Sequence, residues 1–483
     1  MARGITIVGL GPGDPGLLTR AAWDALDGAA DVYLRSKQAV PTDEYPIAAC
    51  ESFDSYYEQH DSCADVYVQI VDRLLELADR PQGVVYAVPG DPNVGEATVT
   101  ALRKRAPERG LPLKVVPGLS SVSLSLDALG LDALDHLAVA DALELADRYH
   151  PSSPPDCHLI VAQMHSKLVA GNVKLTLLNQ YPPDHVVWLV RAVGTPEQQI
   201  TSLALHELDR QERYDPWTSL YVPPRATGAS FESLHNTVAR LRAPDGCPWD
   251  REQTHESLRQ HLLEEAYEVL DALDKHDSGL LREELGDLML QLVMQVQIAT
   301  EYEEFQMADI LGDINSKLIR RHPHVFGSVD VDGAEEVLRN WEALKAKERA
   351  DRGNSESALD GVPDSLPALA QADEFQSRAG RLGFDWPDRD GVLDKLREEL
   401  GEVEAAETEE EQARELGDVL FTLANYARWL GVDPESALRG ANRRFYRRFQ
   451  HLELAAESGG RPLNELSLDE LNQLWAAAKR EVG

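Results

Sequence analysis

Acidic side chains recur in two registered sets along this chain. Glu265 and Glu268 stand in EEAYE and are followed by Glu284 and Asp287 in EELGD. Glu399 and Glu402 repeat the first pair in EELGE, and Glu415 and Asp418 repeat the second in ELGD. Residues three apart share one flank of an α-helix, so each set offers four carboxylates from two successive helices. Carboxylates that converge beside an apolar wall repel one another unless a cation neutralises them. Mg²⁺ is hard, takes oxygen ligands and keeps several waters, which suits carboxylates acting together with substrate phosphates. Two such ions would orient a water and stabilise charge on a leaving phosphate. A single ExxE is more often a solvated helical face; two registered ExxE…ExxD sets argue against that reading.

The elements that must hold these side chains are helices. Leu262, Ala266, Val269, Leu270 and Leu273 form an apolar stripe at helical spacing, with Glu265 and Glu268 on its flank. Leu396, Leu400 and Val403 repeat that stripe beside Glu399 and Glu402, and Leu285, Leu288, Leu292 and Val296 give the following helix of the first set its apolar face. Antiparallel packing of the two helices would bring both acidic pairs to one rim. The intervals 265→399 and 268→402 are 134 residues, and 284→415 and 287→418 are 131, which reads as an internal duplication. Asn315 with Asn442, Trp249 with Trp386 and Trp341 with Trp475 extend the match.

A basic helical stretch follows each set, NSKLIRRHPH and NRRFYRRF. Lys317 with Arg321, and Arg444 with Arg448, stand four apart on one face. Fixed cations of this kind are what a polyphosphate needs in addition to metal. Trp249 and Trp386 precede the acidic helices in expected loops, where each could stack on a base, although a lone Trp is more often core.

The blocks LRAPDGCPWDREQTHESL, LLEEAYEVLDAL, REELGDLMLQLV and INSKLIRRHPHVFG, with GFDWPD…EELGE…ELGDVLF…NRRFYRRF further on, resemble the MazG nucleoside triphosphate pyrophosphohydrolases. The resemblance spans about 230–483. It implies an all-α fold assembled as a dimer of helical bundles, and Mg²⁺-dependent attack of water between the α- and β-phosphates. Glu265, Glu268, Glu284 and Asp287, and likewise Glu399, Glu402, Glu415 and Asp418, would be the metal ligands. The leading pairs Glu265/Glu268 and Glu399/Glu402 are the candidate catalytic groups. Lys317, Arg321, Arg444 and Arg448 would contact the phosphates; Arg444 stands where the family often has Lys, and the charge survives.

Before about residue 225 the pattern is α/β: short β-branched runs alternate with helical stretches and Gly/Pro loops. A Gly-rich turn follows the first expected strand at Gly9, Gly11 and Gly13, and taken alone such a turn is more often structural than a ligand loop. Yet VPGDPNVGE and VPGLSSVS each follow an expected strand, where ligands collect in open α/β sheets. GPGDPGLLT, GDPNVGE, PGLSS and YPPDHVVWLVRAVGTPEQQITSL resemble the tetrapyrrole methylases. That resemblance implies two α/β lobes with S-adenosylmethionine in the cleft between them, lined by Gly90, Asp91, Val94, Ser120 and Ser121. In place of the longer basic, Gly-rich stretch of porphyrin-modifying members the chain has LRSKQAVPTDEYP, which leaves the acceptor open. His60, His158 and His165 read as structural or surface groups.

The expected architecture is therefore multidomain. An N-terminal α/β, two-lobed tetrapyrrole-methylase-like domain covers 1–225, and a first all-α MazG-type domain covers 226–349. A Gly/Ser/Pro-bearing linker follows at 350–367 and a second MazG-type domain at 368–483. A formal charge of −36 argues against a nucleic-acid surface, and four scattered cysteines argue against a disulfide or zinc framework. No signal peptide and no 18-residue apolar run is seen, so a cytoplasmic protein off the membrane is expected. The partners expected are nucleoside triphosphates and a second copy of the chain, with Mg²⁺ and S-adenosylmethionine as cofactors. Two alternatives stay open: a methyltransferase whose helical half dimerises or senses nucleotides, and a non-catalytic nucleotide sensor.

Overall fold

The structure, a computed structural model, describes residues 3–37, 45, 47, 50–59, 62–226, 228–334, 336–337, 340–341, 344 and 357–481. His60, part of LRSKQAVPTDEYP and the first half of the expected linker (350–356) lie outside the described residues. The chain forms two compact units, Met1–Leu311 and Gly312–Gly483.

The first unit begins with a parallel sheet of five strands in the order β3-β2-β4-β1-β5. They are β1 (Ile5–Gly9), β2 (Val32–Leu34), β3 (Cys50–Ser52), β4 (Val84–Val88) and β5 (Leu113–Val116). Every residue of β4 is buried, as expected of a central strand covered on both faces. The helices between them are α1 (Arg20–Asp27), α2 (Asp54–Gln59), α3 (Cys63–Leu77) and α4 (Ala97–Glu108), with α5 (Ser121–Leu129) leading onward. Ile5, Ile7, Tyr86 and Val88 pack on Ile70, Leu74 and Leu102 on one face, and Val8, Val85 and Ala87 pack on Ala22 and Leu26 on the other.

A second sheet runs β6-β7-β10-β8-β9. Its strands are β6 (Leu137–Asp141), β7 (His158–Ala162), β8 (Val186–Arg191), β9 (Gln199–Ala204) and β10 (Thr218–Val222), with α6 (Ala142–Ala146) and α7 (Lys167–Leu177) between. Only β6 and β7 pair in parallel; the rest are antiparallel. Two α/β lobes result, as the resemblance to the tetrapyrrole methylases implies. His158 is a structural group: its Nδ1 lies 2.7 Å from the Tyr221 hydroxyl and the two rings stack.

The unit continues as helices: α8 (Phe231–Arg242), α9 (Pro248–Glu252), α10 (Arg259–Lys275) and α11 (Ser278–Glu301), then the start of α12 (Met307–Arg321). Ser230 caps α8, and Asp156 accepts hydrogen bonds from the hydroxyls of Ser230 (2.7 Å) and Ser233 (2.6 Å), fixing the helix to the preceding lobe. The buried face of α11 differs from the one its spacing suggests. Val293, Met294, Val296, Ile298 and Ala299 are buried, whereas Leu285 and Leu292 are 46% and 52% exposed. The C-terminal half of α11 packs on Val238 of α8 and on Leu258 just before α10; the N-terminal half pairs with α10 and leaves Leu285 and Leu292 outward.

The second unit contains the rest of α12, α13 (Pro323–Phe326), α14 (Ala368–Arg381), α15 (Arg389–Ala405), α16 (Glu409–Trp429), α17 (Pro434–Ser458) and α18 (Leu468–Glu481). α15 and α16 form a hairpin and α14 lies on α16. Gln376 Nε2 donates to the Phe421 carbonyl at 2.8 Å, and Phe445 of α17 meets Trp475 of α18 at 5.2 Å between ring centres.

Candidate active sites

In the first copy, α10 ends at His276, which adopts a left-handed φ of 55°, and Asp277 immediately caps α11 by accepting from the amides of Gly279 and Leu280. That two-residue joint folds α11 back along α10. Glu265 and Glu268 on one helix then meet Glu284 on the other, with one carboxylate oxygen of each within 4.8 Å of the others. Burial, and then repulsion from Asp287, Glu268 and Glu284, raises Glu265 above the ordinary carboxylate range. Glu284 is raised by burial and by Glu268, Glu283 and Asp287, against the opposing pull of Lys275. The donor set is all oxygen and short of positive charge, so it fits a hard divalent cation.

The second copy has the same plan with a different charge balance. Thr408 and Glu411 form a reciprocal capping box at the start of α16, so the chain turns sharply after α15. Glu399, Glu415 and Asp418 bring one oxygen each within 4.8 Å of the others, and Glu399 is 5% exposed. Glu402 is raised by burial and by Glu399, with Lys395 opposing and Glu415 adding to the shift. Lys395 Nζ lies 2.9 Å from Glu399 Oε1, and Arg414 Nη2 lies 2.6 Å from Glu415 Oε1. Neither cation figures in the sequence reading, although a Lys four residues before a Glu on a helix is a legible signal.

Trp249 sits not in a loop but on the one-turn helix α9, started by Pro248; it is 56% exposed and its ring meets His261 edge-on. Trp386 does lie in an irregular segment before α15, half-buried against Gly391. Lys317 and Arg321 are on α12, with the Arg321 guanidinium over the Trp341 ring at 5.6 Å. Arg444 and Arg448 are one turn apart on α17.

In the α/β lobes three loops converge at the carboxyl ends of β1, β4 and β5. Gly11 and Gly90 exchange backbone hydrogen bonds of 3.1 and 2.7 Å, and a Cβ on Gly118 would stand 2.2 Å from the Gly90 carbonyl oxygen. Asp91 binds this junction together, accepting from the Asn93 amide at 2.7 Å and the Gly118 amide at 3.2 Å. Ser120 caps α5 by accepting from Val122 N, while Val94 and Ser121 are half-buried nearby in the chain. Beside the β4 loop lies an ion pair without a motif to announce it: Arg35 Nη1, half-buried, is 2.7 Å from Oε1 of the buried Glu96. Burial raises Glu96 and Arg35 opposes the rise. Gln163, at a strained φ of 66° after β7, donates to the Gly95 carbonyl at 2.9 Å.

A two-lobed α/β domain with glycine loops at its strand ends, followed by two carboxylate-bearing helical hairpins, defines a composite class of protein. Residues 4–209 match the tetrapyrrole (corrin/porphyrin) methylases, 253–326 the MazG nucleotide pyrophosphohydrolase domain, and 384–445 phosphoribosyl-ATP pyrophosphohydrolase. The chain belongs to the MazG family of nucleotide pyrophosphohydrolases, with a tetrapyrrole methylase domain at its N-terminal side. Uncharacterized protein YabN of Bacillus subtilis is 39% identical over 491 residues, 99% of each chain. The nucleoside triphosphate pyrophosphohydrolase/pyrophosphatase MazG of Thermotoga maritima is 43% identical over 53% of this chain and 98% of its own. The nucleoside triphosphate pyrophosphohydrolase of Escherichia coli is 43% identical over 52% of this chain and 97% of its own.

Proposed function

We propose that the helical half hydrolyses nucleoside triphosphates to a monophosphate and pyrophosphate, using Mg²⁺ held by the two carboxylate sets. The observation that carries this reading is the convergence of Glu265, Glu268 and Glu284 on paired helices, matched in the second copy by a different three of the four positions, Glu399, Glu415 and Asp418. Asp287 and Glu402 complete the two sets as further ligands. Bound Mg²⁺ supplies charge neutralisation on the triphosphate and a polarised water. Around it the side chains have distinct tasks. Glu265 and Glu268, like Glu399 and Glu402, orient the attacking water, and a carboxylate oxygen left free of metal takes its proton. Lys317 and Arg321, and Arg444 and Arg448, grip phosphate oxygens, and Trp249 and Trp386 cover the base. The test is pyrophosphate release with Mg²⁺ from a panel of triphosphates. Glu268→Gln together with Glu402→Gln should cut release by at least about a hundredfold; unchanged release overturns the reading.

A second copy of the chain completes the helical half in this reading. Leu285, Met289 and Leu292 fall on one face of α11 and each is close to half exposed, with Leu263 of α10 also outward. Apolar groups aligned along a helix in this way suit a self-complementary contact. No helix among the described residues is long and apolar enough to cross a membrane, and a triphosphate substrate is met in the cytoplasm, where we place the protein.

The convergence of the Gly11, Gly90 and Gly118 loops supports a second activity in the α/β lobes, methyl transfer from S-adenosylmethionine bound along Gly90, Asp91, Val94, Ser120 and Ser121. Titration calorimetry with S-adenosylhomocysteine tests it; absence of heat removes it.

A further inference from the structure

We infer that the two carboxylate sets differ in metal affinity: the first holds a divalent cation without nucleotide, whereas Lys395 and Arg414 act as built-in counter-cations that weaken the second. The inference rests on the reading of both sets as metal sites.

The duplication supplies an internal control. At the interval that relates Glu265 to Glu399, Lys395 stands where the first copy has His261; at the interval that relates Glu284 to Glu415, Arg414 stands where the first copy has Glu283. A neutral His replaced by Lys adds one positive charge, and a Glu replaced by Arg adds two. Both added cations touch the set. Lys395 is 2.9 Å from the buried Glu399 and 2.9 Å from Glu398, and Arg414 is 2.6 Å from Glu415. In the first copy, His261 lies 3.4 Å from Glu264, outside the set, and Lys275 is held by Asp271 at 2.5 Å.

A metal entering the second set must displace these cations from ligand oxygens or share the carboxylates with them. In a water-like dielectric, a unit charge about 6 Å from a divalent ion shifts its affinity by a factor of about ten. The first set therefore carries metal at rest. The second loads it with the triphosphate, whose phosphate oxygens give Lys395 and Arg414 other anions to bind.

Mn²⁺ is the probe, its free concentration read by electron paramagnetic resonance in nucleotide-free, full-length protein. Two classes of site are expected, at least about tenfold apart in Kd. Glu265→Gln with Glu268→Gln should remove the tight class and leave the weak one. Arg414→Glu, which reverses two unit charges and installs the first copy's charge, should tighten the weak class about a hundredfold, and Lys395→Gln, which removes one, about tenfold. The reciprocal Glu283→Arg should weaken the tight class. Melting curves of every variant confirm folding. A single class of equal sites, or a weak class that Arg414→Glu and Lys395→Gln both leave unmoved, overturns the inference while sparing the hydrolase reading. No Mn²⁺ bound at either set overturns both.

Discussion

Arg242 Nη2 lies 2.7 Å from Glu301 Oε2, and the arginine side chain is only 4% exposed. The same guanidinium donates to the carbonyls of Asp250 and Gln253, so one side chain ties α8, the Trp249 helix and the end of α11 together. The second copy uses Arg428 for a related task. Its guanidinium is 2.6 Å from Asp385, whose Oδ1 also accepts from Trp429 Nε1 at 3.3 Å, and the backbone beside Trp386 is fixed as a result.

Replacing Arg242 with Ala should therefore destabilise the first copy. Removing one member of a buried pair costs about 3–5 kcal/mol, and the lower end applies because Glu301 remains partly solvated. Denaturation followed by tryptophan fluorescence checks this. A change below about 0.5 kcal/mol, the size of an ordinary surface substitution, would contradict the assigned role.

The metal-free carboxylate set is a site of stored repulsion, and its sign can be tested. Because the folded state raises Glu265, the native protein binds that proton more tightly than the unfolded chain does. The associated stability is present below the unfolded value of about 4.3 and lost as pH rises through the folded one. Glu265→Gln should thus raise the Tm in chelator at pH 7, with the gain vanishing below about pH 4. Adding Mg²⁺ should raise the wild-type Tm more than the variant's. Calorimetric melts with and without Mg²⁺ decide it.

Gly118→Ala should disrupt the loop junction in the α/β lobes. The new Cβ would stand 2.2 Å from the Gly90 carbonyl oxygen and 2.8 Å from the Gly9 carbonyl carbon, both backbone atoms that cannot swing away. S-adenosylhomocysteine heat should disappear in the full-length variant while pyrophosphate release persists. Retained heat would show that the junction does not form the cofactor cradle.

Leu285→Glu with Leu292→Glu should convert the proposed dimer to monomer, because each charge would have to be buried without a partner in the contact. Sedimentation velocity at micromolar protein reads the outcome directly. An unchanged sedimentation coefficient would place the contact elsewhere.

Much of the candidate site was legible because its logic is local. Residues three apart share a helical flank whatever the tertiary fold, so the pairing of Glu265 with Glu268 and of Glu399 with Glu402 follows from spacing alone. The α/β class of the first 225 residues was legible for a similar reason, since β-branched runs alternate with helical stretches and glycine loops mark the strand ends; its division into two lobes came from the family resemblance. The buried face of α11 was not. Leu285 and Val293 satisfy helical periodicity equally well, and only the placement of α8 against the second half of the helix separates them. Trp249 reads as a loop residue until Pro248 starts its single helical turn.

By itself the sequence determined the duplication, the carboxylate pairs and the glycine-rich strand ends, all properties of short windows in which chain geometry leaves little choice. Tertiary structure decided which oxygens meet across each hairpin, that Glu399 is buried beside Lys395 while Glu265 faces other carboxylates, and that Gly9, Gly90 and Gly118 crowd into one junction. Those outcomes depend on distances between residues far apart in the chain, which periodicity cannot encode.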